Sequence, residues 1–171
     1  YLCTFESLNM NLVCKDSNLS SLNFPQSEIN NELLIRTFQN KDYEKSINFS
    51  KALLNTNKFN ILAFNVLGLS YSAINQKDKA IKTFLEAINY NPNNNELYNN
   101  ISNIYLEKKD YTKSIINANI AVKLNPNCSK SFFTLGVCYY ALQEIEKAHS
   151  SFKKSFKLDK RNHEALLQVG N

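Results

Sequence analysis

One spacing dominates this sequence: similar residues return every 34 positions over most of its 171 residues. The pairs Leu67-Gly68, Ile101-Ser102 and Leu135-Gly136 are one such set. Further sets at the same offset are Tyr71, Tyr105 and Tyr139, then Phe64, Tyr98 and Phe132, then Pro92 and Pro126. A fixed period in the range of about 20–50 residues predicts a repeat architecture, in which each unit buries its apolar side against its neighbours.

The units are predicted to be helical. Gly and Pro occur only three times each, whereas sheets with frequent turns usually draw on both residues. Phe64, Leu67 and Tyr71 stand at i, i+3 and i+7, which is one face of a helix. We therefore expect helices joined by short polar turns.

Each unit contains a second helix. Ala80, Phe84 and Ala87 form another apolar stripe, separated from the first by the polar segment 75–78. Asn91-Pro92 ends this helix, because a residue before proline disfavours the helical conformation. The unit is thus a helical hairpin, and Gly68 next to the first stripe predicts a close approach between its two helices.

This pattern resembles the tetratricopeptide-repeat (TPR) family, in the style of bacterial arrays or of an A/T-rich genome that favours asparagine. The unit at 61–94 carries the full set of family residues, namely Phe64, Leu67-Gly68, Tyr71, Ala80, Phe84, Ala87 and Pro92. The unit at 129–162 departs from it at Ser155 and Lys160, where the family has Ala and Pro. The resemblance implies an all-α TPR α-solenoid of stacked antiparallel helical hairpins forming a right-handed superhelix.

Four units are predicted, at 27–60 (degenerate), 61–94, 95–128 and 129–162. Residues 163–171 match the start of a further repeat, so we expect the native protein to continue. Residues 1–26 match no repeat, but Leu2, Phe5, Leu8 and Leu12 have helical spacing. This segment either caps the stack or covers the groove.

The resemblance also implies a binding face. In stacked TPR units, the second, fifth, sixth, ninth, twelfth and thirteenth repeat positions line a concave groove built from the first helices. From these positions we select as candidate peptide-binding residues Asn65, Leu69, Asn99, Asn100, Asn103, Lys130, Phe133, Thr134, Val137 and Tyr140. Asparagine amides can pair with both groups of a peptide backbone. Apolar groove residues, among which we also count Leu62 and Val66, suit an apolar peptide or helix.

Each feature has a plainer interpretation. The asparagines can be solvated and reflect composition, and the asparagine ladder of TPR regions attached to protein glycosyltransferases is matched only at Asn100, since Val66 and Thr134 stand on either side. The apolar residues can be covered by the chain itself. A clamp for acidic chaperone tails is rejected: its Lys/Asn/Asn/Lys/Arg set is matched only by Asn100 and Lys130.

Positive charge concentrates near the end of the last complete unit, at Lys147, Lys153, Lys154, Lys157, Lys160 and Arg161. We interpret it as a solvated convex face, with an acidic partner as the alternative. Nucleic acid is not expected, because no aromatic residues interleave with these lysines. No run is long enough to cross a bilayer.

No catalytic constellation is present. The sequence has no Gly-rich phosphate loop, no Ser or Cys with a credible His base, and no Cys/His cluster at zinc-binding spacing. We therefore predict a cytoplasmic, non-catalytic protein- or peptide-binding scaffold without cofactor or metal. The alternatives are a non-catalytic arm of a larger glycosyltransferase- or sulfotransferase-type enzyme and a self-assembling homo-oligomer.

Overall fold

The structure, a computed structural model, describes residues 29–160. All regular structure in this range is α-helical, and the eight helices are α1 Asn31–Gln39, α2 Tyr43–Thr56, α3 Ile61–Ala73, α4 Lys77–Tyr90, α5 Asn95–Glu107, α6 Tyr111–Leu124, α7 Ser129–Ala141 and α8 Ile145–Leu158. Consecutive helices pack together, and contacts of α1 with α3, α3 with α5 and α5 with α7 join the first helices. This arrangement confirms the predicted all-α solenoid of helical hairpins.

Asparagine begins three of the first helices. Asn30, Asn60 and Asn94 are the N-caps of α1, α3 and α5, and each side chain accepts a hydrogen bond from a backbone N–H two or three residues further on. Such a bond satisfies one of the free donors at a helix start and contributes about 1 kcal/mol. Part of the asparagine excess therefore has a structural role beyond composition.

The turn inside every hairpin has the same backbone geometry. Lys41, Asn75, Lys109 and Gln143 stand 34 residues apart, and all have φ of 61° or 62°. The next N–H donates to the carbonyl five residues earlier, as Gln76 N–H does to Tyr71 at 2.8 Å. This left-handed C-cap closes each first helix without the glycine that usually occupies the position.

Inside the hairpins, a small residue on one helix faces a large residue on the other. A Cβ added to Gly68 would lie 2.4 Å from Cζ of Phe84, and one added to Gly136 would lie 2.6 Å from the Phe152 ring. Both phenylalanines are buried. The two glycines are therefore required by packing rather than by backbone conformation.

The third hairpin has two small residues in place of this glycine–phenylalanine pair, and hydroxyl groups join its helices. Ser102 and Ala118 occupy the two equivalent positions, so no large ring separates the helices. Ser102 Oγ donates to the Ser114 carbonyl at 2.9 Å, and Ser114 Oγ donates to the Ser102 carbonyl at 2.8 Å. These reciprocal bonds satisfy both buried hydroxyls and fasten α5 to α6.

The two end segments lie outside the described residues. The predicted role of residues 1–26, as a cap or as a groove cover, falls there, and so does the predicted start of a further repeat at 163–171. Within the described range, no helix has the length and apolar character needed to span a membrane.

Candidate functional site

The candidate ligand residues lie on α3, α5 and α7, and we call the surface that they share the first-helix face. Eight of the ten keep exposed or partly exposed surface, namely Asn65, Leu69, Asn100, Asn103, Lys130, Phe133, Val137 and Tyr140. The other two, Asn99 and Thr134, are buried.

Asn99 and Thr134 are buried because they join α5 to α7. Ser131 Oγ donates to Asn99 Oδ1 at 3.0 Å, and Thr134 Oγ1 donates to Asn103 Oδ1 at 2.9 Å. Both bonds connect one repeat with the next, so these side chains hold the stack together and offer little surface to a ligand. The amide nitrogen of Asn103 is not used by its bond to Thr134.

Two amide groups on the face lack such partners. Asn65 Oδ1 and Asn100 Nδ2 are buried atoms with no hydrogen bond to the part of the chain that the structure describes. A buried polar atom without a partner costs about 1–3 kcal/mol. Each such atom in a folded protein therefore calls for an explanation.

The repeat register explains why these two atoms are orphaned. Asn65 is the counterpart of Asn99, but Leu97 stands where the donor Ser131 would be. Asn100 is the counterpart of Thr134, but Leu69 stands where the acceptor Asn103 would be. A leucine can neither donate nor accept, so the joint between α3 and α5 leaves an acceptor and a donor unpaired.

The apolar part of the face is smaller than the sequence suggested. Val66, expected in the groove, is fully buried in a cluster with Leu34 and Phe38, because α1 packs against α3 there. Phe133 and Val137 are half-buried against the Phe152 cluster. Tyr140, 54% exposed, is the large apolar residue that the face presents most openly.

Charge on the face is limited to a few partly desolvated groups. Burial lowers the pKa of the Lys130 ammonium, an effect that the Asp159 carboxylate opposes. On α5, burial raises the pKa of the Glu96 carboxyl group, which occupies the same repeat position as Lys130. Neither group has an ion pair within 4 Å among residues 29–160, so both would gain from an oppositely charged group of a ligand.

The face contains nothing suited to metal chemistry. No group of three His, Cys, Asp or Glu side chains in the described range could hold a metal ion. Cys138 is buried, its Sγ lies 3.2 Å from Ser114 Oγ, and burial raises the pKa of its thiol. Such a thiol is a poor nucleophile.

The sequence reasoning missed Ser131 as a partner for the asparagine cluster. The signal was present, because Asn99 precedes Ser131 by 32 residues and Asn103 precedes Thr134 by 31, which places each pair side by side on neighbouring first helices.

Comparison with known proteins supplies the family. The model of the ChAPs family (Chs5p-Arf1p-binding proteins) matches residues 1–158. The chain belongs to this family. It is also a TPR protein, because its relatives and structural neighbours are TPR proteins.

Among curated relatives, heat shock protein STI1 of Saccharomyces cerevisiae is 37% identical over 89 residues, which are 52% of this chain and 15% of STI1. The chain spans only about 15–16% of the length of the curated relatives it first matches.

Two solved structures illustrate the shared fold. Pseudomonas aeruginosa PilF superimposes with a TM-score of 0.76 at 18% identity, covering 84% of this chain and 65% of PilF. The first TPR of Spaghetti (RPAP3), bound to the HSP90 peptide SRMEEVD, gives a TM-score of 0.62 at 26% identity, covering 64% of this chain and 86% of that chain.

Proposed function

We propose that this TPR array is a non-catalytic scaffold that binds an extended segment of another protein along the concave side of its first helices. The observation that carries the proposal is the unpaired acceptor of Asn65 on α3 together with the unpaired donor of Asn100 on α5, two residues that are themselves partly exposed. A peptide backbone offers an N–H and a C=O, so one strand of polypeptide can satisfy both amides once rotation of each side chain brings the unpaired atom to the surface. Binding would then remove the free-energy cost of leaving these two polar atoms without a hydrogen-bond partner.

Relatives support binding of proteins as the general role. The RPAP3 domain holds a peptide, and the ChAPs family is named for binding Chs5p and Arf1p. Both activities belong to those proteins. We transfer to this chain only the class of ligand, which is a protein or peptide. Its cytoplasmic location, and its being a scaffold rather than an arm of an enzyme, stay predictions.

The chemistry of the face specifies the ligand further. Backbone groups would pair with Asn65 and Asn100, and a carboxylate would pair with Lys130, whose ammonium is partly desolvated. An apolar side chain would pack on Tyr140. The ligand is thus an extended peptide, recognised mainly through its backbone, with one acidic and one apolar side chain.

This chemistry differs from that of a clamp for acidic tails. Such a clamp has a cation where Asn65 stands and another where Thr134 stands, and Thr134 is buried and bonded to Asn103. Lys130 is the one cation at the five clamp positions. Because each carboxylate that leaves water needs a paired charge, an array with one cation binds a ligand with one such carboxylate.

The test is a selection of peptides on the full chain, residues 1–171, followed by fluorescence anisotropy with the selected peptides. Asn100→Ala removes one hydrogen bond, and we expect it to weaken binding by about tenfold. Val137→Glu places a charge on the apolar part of the face and should weaken binding at least as much. Asn119→Ala, on the exposed side of α6, is the matched control and should leave the affinity unchanged.

Backbone recognition has its own measurement. Methylating single backbone nitrogens of the bound peptide should abolish binding at one or two positions, whereas alanine substitution of most of its side chains should be tolerated. If Asn100→Ala and Val137→Glu both bind like the wild type, the first-helix face is not the binding site.

A further inference from the structure

Two charged side chains occupy the same repeat position on neighbouring helices of the first-helix face. Glu96 on α5 and Lys130 on α7 stand 34 residues apart, in the first turn of each helix. On α3 the same position holds Leu62. Along this row of positions, which we call the charge row, helices α3, α5 and α7 therefore present one negative and one positive charge.

The helical period directs both side chains toward the binding face. Asn100 and Asn103 follow Glu96 at i+4 and i+7, so the three residues share one side of α5. Leu97, by contrast, is fully buried in the core. Lys130 has the equivalent place on α7. Glu96 is exposed and Lys130 is partly exposed, so a ligand on the face can reach both.

Neither charge is neutralised within residues 29–160. Glu107, further along α5, pairs with Lys77 at 3.1 Å, but no such pair within 4 Å involves a member of the charge row. Burial raises the pKa of Glu96 and lowers that of Lys130, so both charged forms have lost hydration. The carboxylate that opposes this effect at Lys130 is that of Asp159 rather than that of Glu96. Each member of the row therefore keeps its capacity to attract an opposite charge on a ligand.

The register of the helices sets the distance between the two charges. Hydrogen bonds join α5 residues to α7 residues 31 or 32 positions later, so Lys130 lies level with residues 98–99, two or three residues beyond Glu96. With a rise of about 1.5 Å per residue and about 8–10 Å between helix axes, the two backbone positions are roughly 10 Å apart. A peptide in the polyproline II conformation rises about 3.1 Å per residue with three residues per turn, so its side chains at i and i+3 point the same way about 9 Å apart.

We propose that the charge row selects a peptide with one basic and one acidic side chain about three residues apart, the basic one at Glu96 and the acidic one at Lys130. This inference rests on the proposed function and refines it. Backbone groups would be held by Asn65 and Asn100, whereas the row would fix the direction of the peptide. A peptide bound in the reverse direction would bring like charges together, which is unfavourable.

The probe is a displayed library of random peptides of roughly 12 residues, long enough to span three first helices in the polyproline II conformation. The library is selected on residues 1–171 at low salt and sequenced before and after selection. Enriched peptides should carry a basic and an acidic residue about three positions apart, in one constant N-to-C order. A selection at physiological salt should enrich this pair less, because salt screens exposed charges.

Exchanging the two charges is the most specific test. Glu96→Lys with Lys130→Glu should enrich peptides with the same spacing and the reverse order of charges. Lys82→Glu with Glu86→Lys is the matched control, because it also exchanges one charge of each sign between exposed residues, on α4 and away from the first helices. This control should select the wild-type order. Circular dichroism confirms that every variant is folded.

Fluorescence anisotropy with the most enriched wild-type peptide measures what each charge contributes. Glu96→Gln and Lys130→Gln should each weaken binding about three- to fivefold at low salt. The exchange variant should weaken it about tenfold or more, because both contacts become repulsive. That variant should regain wild-type affinity for the same peptide with its two charged residues exchanged.

Three results would overturn this inference and leave the proposed function standing. The first is enrichment of peptides that lack the charged pair but whose binding Asn100→Ala still weakens. The second is selection of the wild-type order by the exchange variant. The third is a preference for acidic residues alone, which would leave Glu96 without a role. If the wild type enriches no peptide, the proposed function fails together with this inference.

Discussion

The contact between Gly68 and Phe84 predicts that Gly68→Ala destabilises the wild-type chain and stabilises a chain that lacks the Phe84 ring. Gly68→Ala adds a methyl group 2.4 Å from Cζ of a fully buried ring, about 1 Å closer than van der Waals contact allows. Overpacking costs about 1–3 kcal/mol, and an overlap with three atoms of a buried ring belongs in the upper part of that range, about 2–3 kcal/mol. The helix propensity of Ala over Gly returns about 1 kcal/mol. We expect Gly68→Ala alone to destabilise the chain by about 1–2 kcal/mol.

In a Phe84→Ala background the same methyl group has space. Phe84→Ala alone should cost about 3–5 kcal/mol, because its ring fills the gap between α3 and α4. Adding Gly68→Ala then returns the helix propensity and fills part of the cavity, a gain of about 1–2 kcal/mol. The third hairpin already has this combination of small residues, at Ser102 and Ala118.

Urea unfolding followed by circular dichroism gives the four free energies of the cycle, and the expected coupling is about 2–4 kcal/mol. Asn119→Ala, exposed on another helix, should contribute equally in both backgrounds. If Gly68→Ala destabilises the chain equally with and without the Phe84 ring, then the steric account of this glycine is wrong.

Three further predictions concern the turns and the binding face. Lys109→Gly should raise the free energy of unfolding by about 1 kcal/mol, because its φ of 61° suits glycine, and Asn75→Gly should gain less, since Asn tolerates that region; equal gains in urea unfolding would contradict this. Lys130→Gln should stabilise the fold at neutral pH, because burial and the α7 N-terminus disfavour the charge; with its folded pKa lowered, the advantage should vanish as pH rises past the ordinary lysine pKa, as followed by thermal unfolding, and a pH-independent gain would refute it. The peptide SRMEEVD, bound by the RPAP3 domain, should show no saturation in calorimetry at concentrations that saturate that domain, because Asn65 and Thr134 stand where an acidic-tail clamp has cations; saturation of both alike would restore the acidic-tail clamp.

The fold could be predicted from the sequence because the 34-residue offset sets the positions of both helices in successive hairpins. Helices α3, α5 and α7 begin 34 residues apart, and so do the helices that follow them. Helix α1 begins at Asn31, four residues later than this offset gives, with Asn30 as its cap. The start of α1 is therefore set by its N-cap residue and not by the repeat offset.

The site was harder to predict because it depends on contacts between repeats. Position within one unit placed Asn99 and Thr134 on the binding face, but Ser131 and Asn103 in the neighbouring units bury and bond them. Likewise Val66 has a groove position but a core environment, because the shortened α1 packs on it. Such outcomes need the register between helices, which a single unit does not contain.

Different polar interactions stabilise the contacts between successive hairpins. Between the second and third hairpins, Lys77 and Glu107 lie 3.1 Å apart and Lys108 pairs with Asp78, all at the turn end. Between the third and fourth hairpins, α5 and α7 are instead joined by neutral amide and hydroxyl groups. Salt screens exposed ion pairs and leaves neutral hydrogen bonds almost untouched. Added salt should therefore weaken the contact between the second and third hairpins and leave the contact between the third and fourth hairpins unchanged. The curvature of the array, rather than its stability, should then respond to the surrounding electrolyte.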